Sequence, residues 1–169
     1  MTTLPSLRFV CLDWGGTLMS EDGPTDIAMA HWPQVVVIDG AREMMQALAR
    51  RYTLCIATNA SVSRRADIEL ALKRAGLLRH VSDIFCYTEI GARKDSARFW
   101  QVVCAALDAQ PAEIAMLGDT LEQDVLAPRR YGIRSIWFNP QGAALPNGSG
   151  SVTMVRRLDE VDALLARLQ

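Results

Sequence analysis

The chain has no CxxC spacing, no long apolar run, no block of like charges and no internal repeat or low-complexity tract, and each absence removes a class of function. Its four cysteines, Cys11, Cys55, Cys86 and Cys104, mostly sit inside apolar runs. They read as small core residues rather than as a disulfide or zinc framework, and the expected setting is a reducing cytoplasm. No segment approaches the roughly 20 apolar residues of a membrane span. The opening MTTLPSLRF lacks the charged-then-apolar pattern of a secretory leader, so none is expected. With 18 Lys and Arg against 19 Asp and Glu, the net charge is −1. Nothing here attracts nucleic acid or an anionic membrane in general. The pairs Arg64-Arg65, Arg129-Arg130 and Arg156-Arg157 are too short to be basic tracts and read as solvated helix faces.

What is present suits a globular domain. A chain of 169 residues that is 50% hydrophobic and 22% charged can bury a sizeable core as one unit, taken here as residues 1–169. Short apolar runs bounded by turn residues predict strands at Phe9–Leu12, Tyr52–Ala57, Ile84–Tyr87, Ile114–Leu117 and Arg134–Phe138. Helical spacing fills the intervals. Met44, Met45 and Leu48 follow Asp39-Gly40, with Asp39 as the expected cap. Ile68 and Leu72 lead to Ala75 and a stop at Gly76, with Ser61 or Ser63 as the cap. Asp95 or Ser96 is expected to cap the helix that carries Phe99, Val103 and Leu107. A helix from about Leu121 is expected to end or kink at Pro128. Val161, Leu164, Leu165 and Leu168 mark a last apolar stripe, and the Gly-, Pro- and Ser-rich stretch 139–151 reads as a mobile loop. Strands alternating with helices predict an α/β fold: a Rossmann-like, three-layer arrangement with a parallel sheet of about five strands and helices on both faces.

In such sheets the chemistry gathers at the carboxyl ends of strands, which makes Asp13, closing the run Phe9–Leu12, the first catalytic candidate. Asp before glycine is also an ordinary turn signal. The rest of the chain decides between them. DWGGTL, Thr58-Asn59 in LCIATNA, Lys94 in GARKDSARF, and Gly118-Asp119 with Asp124 in IAMLGDTLEQD resemble, in order, the four motifs of the haloacid dehalogenase superfamily, whose first motif is usually Asp-x-Asp-Gly-Thr.

The resemblance implies a Mg²⁺-dependent hydrolase, a phosphatase in which Asp13 attacks phosphorus and becomes an aspartyl-phosphate. Family roles map Thr58, and Asn59 as a further donor, to the phosphoryl oxygens, Lys94 to charge neutralisation, and Asp124 to the orientation of Lys94 or of a metal-bound water. The Mg²⁺ ligands would be Asp13, the backbone carbonyl of Gly15, and Asp119. The substrate would be a phosphorylated small molecule or a phosphoprotein.

One position departs from the pattern. Gly15 stands where family phosphatases carry a second Asp that protonates the leaving group and activates water, help worth typically about 10²–10⁴ in rate. Good leaving groups such as aryl or acyl phosphates should still transfer; alkyl esters should be slow unless Glu21, Asp22 or His31 of the segment 19–33 supplies the proton. A scaffold that binds phosphate, metal or a protein and turns over little is the alternative. The motif is also similar to that of phosphonoacetaldehyde hydrolase, Asp-Trp-Ala-Gly-Thr, but that enzyme uses a cap lysine, and this chain has only Lys73 and Lys94. Haloacid dehalogenases also lack the second Asp, and they too carry a cap. Neither interval between motifs is long enough for one. In the family a β-hairpin flap leaves the first strand at about 19–33, and Trp14 and Trp32 are expected to shape access. Without a cap, a large substrate or a second copy of the chain is expected to cover the site.

Overall fold

In the computed structural model, which describes residues 5–167, six strands form one sheet. They are β1 (Phe9–Leu12), β2 (Thr53–Thr58), β3 (Asp83–Cys86), β4 (Ile114–Gly118), β5 (Arg134–Phe138) and β6 (Met154–Val155), in the order β3-β2-β1-β4-β5-β6. All paired neighbours are parallel. The helices are α1 (Ala41–Leu48), α2 (Arg65–Arg74), α3 (Tyr87–Ile90), α4 (Ala97–Leu107), α5 (Ala127–Arg129) and α6 (Val161–Arg167). From β1 the chain winds outward to β3, then crosses back to lay β4 on the other side of β1. The winding therefore reverses between β1 and β4, where parallel sheets open a crevice at the carboxyl ends of their strands.

Period-2 alternation divides the central strands between two cores. Val10 and Leu12 of β1 join Leu54 and Ile56 of β2 under α1, α2 and α6. Phe9 and Cys11 face the other way, with Cys55, Met116 and the α4 side chains Phe99, Trp100 and Val103. The three layers follow directly from strands buried on both faces. In α1, Ala41, Met44, Met45 and Leu48 are the buried positions, the i, i+3, i+4, i+7 stripe of an amphipathic helix. The last stripe also behaves as core: Val161 and Leu165 are buried and Leu164 packs beside them, while Leu168 lies outside the described residues.

Several local expectations are corrected. The sheet has six strands rather than five: β6 follows the 139–151 segment and is two residues long, too short to show a period, and it pairs through Trp137 and Phe138. Asp39 does not cap α1. Gly40 takes that place with φ +82°, and the Ala41 amide donates to the Ile38 carbonyl instead. Neither Ser61 nor Ser63 caps α2, because the Asp67 carboxylate accepts from the Arg64 amide at 2.9 Å. Of the two candidates at α4, Ser96 is the cap, accepting from the Phe99 amide. Tyr87, expected to close the third strand, instead opens the short helix α3.

The flap keeps only the base of a hairpin: Met19 bridges to Gly15 and, antiparallel, to Val37, with the Ser20 amide donating to the Val36 carbonyl and the Ile38 amide to the Leu18 carbonyl, and the segment between makes a single 3₁₀ turn at Met29–His31. No separate folded unit stands in either interval between motifs: the first holds this flap, α1 and β2, and the second α2, a 3₁₀ turn at Leu78–His80, β3 and α3.

Because Leu54 is fully buried in the larger core, Leu54→Ala should cost about 2–5 kcal/mol of unfolding free energy, read from urea titrations by circular dichroism; a cost below about 1 kcal/mol would mean that the site collapses to fill the gap.

Candidate active site

The carboxyl ends of β1, β2 and β4 converge on a cavity of about 530 Å³. Asp13 is the first residue beyond β1, and its amide donates to the Leu117 carbonyl of β4 at 2.8 Å, which fixes it beside the next strand. The chain then turns sharply, the Leu18 and Met19 amides both donating to the Trp14 carbonyl. Glycine is required at position 16: its φ is +76°, and a Cβ there would lie 2.5 Å from Asp119 Oδ2. The close approach of β4 to this turn depends on that missing side chain.

Lys94 is the centre of the polar cluster. It is only 2% exposed, and its Nζ lies 2.6 Å from Asp13 Oδ1 and 2.6 Å from Asp124 Oδ1. Its backbone is held at both ends, the amide donating to Asn59 Oδ1 at 2.9 Å and the carbonyl accepting from Trp100 Nε1 at 2.7 Å. Asp124 Oδ2 accepts from the Thr120 amide. Asp124 reaches inward from a π-helical stretch, Leu121–Leu126, and the space it enters is open because Gly118 has no side chain: a Cβ there would lie 2.2 Å from Asp124 Oδ2.

Thr17 Oγ1 stands 3.3 Å from both Asp13 Oδ2 and Asp119 Oδ1 and can donate to either. The Asp119 carbonyl accepts from Trp137 Nε1. Thr58 Oγ1, at the end of β2, accepts from the Ala60 amide at 3.1 Å, which leaves its own proton free to donate.

The electrostatics follow from burial. Loss of water pushes the Asp13 carboxyl up to about 6 against the pull of Lys94, with Asp119 adding to the rise. Burial, then Asp13, push Asp124 up to about 6 as well, and burial also raises Asp119. Burial alone would lower Lys94, but Asp13 and Asp124 outweigh it and push the ammonium up to about 12. One ammonium thus pairs with two of three clustered carboxylates, since oxygens of Asp13, Asp119 and Asp124 lie within 4.8 Å of one another. A cluster of hard oxygens with unbalanced negative charge is the donor chemistry that suits a small divalent cation.

The structure brings together Asp13, Gly15, Thr58, Asn59, Lys94 and Asp119 as lining of the one cavity, with Asp124 directly behind Lys94. Asn59 also lines the cavity: its oxygen accepts from the Lys94 amide at 2.9 Å, and one of its two Nδ2 protons goes to Gln123 Oε1 at 2.8 Å. Sequence reasoning had no signal for Gln123, Trp100 or Trp137, which act through single hydrogen bonds from positions that read as helix face or core. Trp14 and Trp32 do line the cavity, with Glu21, Pro24 and Ile27 of the flap.

The family model for haloacid dehalogenase-like hydrolases matches residues 33–132. Among curated proteins, the chain is similar to a phosphoserine phosphatase from Thermus thermophilus, 31% identical over 59% of this chain and 47% of that protein. The chain spans about half the length of the curated relatives it matches. Among solved structures, an uncharacterized protein from Listeria monocytogenes superposes with a TM-score of 0.83 at 25% identity, covering 96% of this chain and 98% of that one. The hydrolase YfnB from Bacillus subtilis, described as bound to magnesium, superposes at 0.80 and 15% identity over 95% and 99% of the two chains, a likeness of fold.

Removing the ammonium leaves two buried carboxylates facing each other, so Lys94→Met should cost about 3–5 kcal/mol at pH 7. The sign with pH is fixed: raised folded-state carboxyls bind protons that the unfolded chain has lost, so the variant regains stability as pH falls from about 7 to below 5. Urea titrations in EDTA at the two pH values measure this, and an equal cost at both would remove the electrostatic explanation.

Proposed function

Because the chain belongs to the haloacid dehalogenase-like hydrolase family, we propose that it is a Mg²⁺-dependent phosphatase acting through an aspartyl-phosphate on Asp13. The observation that carries the reading is the Lys94 ammonium held 2.6 Å from Asp13 at the crevice between β1 and β4. A carboxylate attacks a phosphate dianion only where the mutual repulsion is offset, and this one has a fixed cation beside it.

In this reading an Asp13 oxygen forms a bond to phosphorus as the bond to the leaving oxygen breaks. Water then attacks the same phosphorus and the bond to Asp13 breaks, releasing inorganic phosphate. Lys94 neutralises charge on Asp13 and on the transferring group. Thr58 donates its free hydroxyl proton to a phosphoryl oxygen, Asp124 keeps the ammonium aimed at Asp13, and Asn59 positions the Lys94 backbone. Asp13, Asp119 and the Gly15 carbonyl would hold Mg²⁺, with Asp124 close behind; the donor set fits because three carboxylates cluster here and the ammonium pairs with only Asp13 and Asp124, not with Asp119. When bound, the ion supplies further neutralisation of the phosphate charge. Gly15 contributes no side chain, so aryl and acyl phosphates are the easiest substrates for this framework.

The relatives named as phosphatases of phosphoserine and of ribulose 1,5-bisphosphate, and as nucleotidases of pyrimidine 5′-nucleotides, support a phosphorylated small molecule as substrate; a phosphoprotein, or cover from a second copy of the chain, would also suit the open cavity. Among the described residues no helix is long and apolar enough to cross a membrane, and the free cysteines, three of them buried, suit a cytoplasmic setting. A phosphate- or metal-binding scaffold is the second reading, favoured by Gly15 alone.

The natural protein should hydrolyse para-nitrophenyl phosphate with Mg²⁺ and lose the activity with EDTA, and Asp13→Asn should reduce the rate by at least about 10³-fold. A folded protein that shows no turnover under these conditions supports the scaffold instead. Mg²⁺ should also raise the melting temperature of the natural protein, and Asp119→Asn should abolish that shift; an unchanged shift in the variant would remove Asp119 from the ligand set.

A further inference from the structure

We propose that Glu21, whose carboxylate lies over the bare Cα of Gly15, is the general acid and base of this site. The inference rests on the phosphatase reading and supplies the proton transfers which that reading leaves unassigned. Alkyl phosphates release an alkoxide unless a proton is delivered to the leaving oxygen, and the water that resolves the aspartyl-phosphate must lose a proton to something.

The groups already described in the cavity are unable to do this. Asp13 is the nucleophile, and Lys94 is fixed between two carboxylates. Asp119 is engaged with Thr17 and belongs to the donor set for the cation. Arg93 stacks over the Tyr87 ring at 4.6 Å, and a guanidinium does not give up its proton. Glu21 is the remaining titratable side chain on the cavity wall. Among the described residues it makes no side-chain hydrogen bond and no ion pair, so neither oxygen is committed to a protein partner.

Its position is set by what residue 15 lacks. A Cβ built on Gly15 would lie 2.2 Å from Glu21 Oε1, 2.8 Å from its Cδ and 3.0 Å from its Cγ. The volume that any side chain at position 15 would enter is therefore filled by the Glu21 carboxyl, delivered from the flap. Met19, bridged to both Gly15 and Val37, holds the base of that flap two residues before Glu21. The other two flap candidates are excluded by where they point. Asp22 accepts from the Ser20 hydroxyl at 2.8 Å outside the cavity, and His31 faces Asp67 at 3.6 Å.

The steps balance. The protonated Glu21 carboxyl gives its proton to the leaving oxygen as Asp13 bonds to phosphorus, which yields an alcohol, the aspartyl-phosphate and a Glu21 carboxylate. That carboxylate then takes one proton from the attacking water while the oxygen bonds to phosphorus and the bond to Asp13 breaks. Hydrogen phosphate leaves, and Asp13 and Glu21 return to their starting forms.

The test uses Mg²⁺-loaded natural protein, Glu21→Gln, Asp13→Asn, and the double variant Gly15→Asp with Glu21→Ala, since an aspartate at 15 needs the space that Glu21 fills. The probes are para-nitrophenyl phosphate and β-glycerol phosphate, with intact-mass detection of phosphorylated protein. Glu21→Gln should lose about 100-fold or more on the alkyl ester and less than about tenfold in the initial burst on the aryl ester. It should also accumulate phosphorylated protein, which Asp13→Asn cannot form. The double variant should recover most of the alkyl rate. Equal losses on both esters without phosphoprotein would show a structural role for Glu21 and overturn the proposal. Weakened Mg²⁺ binding by Glu21→Gln in calorimetry, with an unchanged leaving-group dependence, would overturn it in favour of a metal ligand. Rates for Glu21→Gln equal to the natural protein's, with Asp13→Asn inactive, would sink Glu21 alone and leave the phosphatase standing. A folded natural protein that cleaves neither ester and forms no phosphoprotein removes both readings.

Discussion

The site depends on one buried ammonium. Taking Lys94 out of water costs several kcal/mol, and so does burying each carboxylate beside it. The arrangement persists because the ammonium meets two carboxylates at 2.6 Å and because the backbone that carries it has no freedom to withdraw. Asn59 from the end of β2 and Trp100 from α4 hold that backbone from opposite sides. A residue in an irregular segment is thereby tied through its backbone to both β2 and α4, which fixes where its charge sits.

The same charge explains the irregular helix after β4. In a regular α-helix, the carbonyl that Pro128 leaves without a donor is that of Asp124, four residues back, and the proline ring also crowds it. The chain relieves this with the wider π turn Leu121–Leu126, from which Asp124 enters the space left by Gly118. Pro128 and Gly118 thus serve one end, the placement of a carboxylate behind Lys94. Helices of this kind are often found at functional sites, where the break in regularity aims a side chain.

The open face of the cavity is governed by the flap. It builds no extended pairing and is anchored by the two bridges of Met19 and by Trp32, whose indole N–H donates to the Ile27 carbonyl. Glycine at position 15 leaves room beside the end of β1, and Glu21 from this flap fills it. The carboxylate nearest the Gly15 backbone is thus supplied by the flap rather than by the turn after β1.

The amino-acid sequence by itself determined the alternation of strands and helices, the residues that end β1, β2 and β4, and the positions of Asp13, Thr58, Lys94, Asp119 and Asp124. The strands and the polar residues that end them were legible because burial on both faces of a parallel sheet writes continuous apolar runs into the chain, whereas Lys94 and Asp124 were singled out only by the resemblance of their motifs. β6 was too short to leave a period, and the cap of α2 was a carboxylate three residues inside the helix rather than a serine before it. Tertiary structure alone decided that Asn59 holds the Lys94 backbone, that Trp100 and Trp137 tie down site backbone, and that of the flap candidates Glu21, Asp22 and His31 only Glu21 reaches the space above Gly15. Those outcomes depend on distances between residues far apart in the chain, and no local pattern encodes a distance.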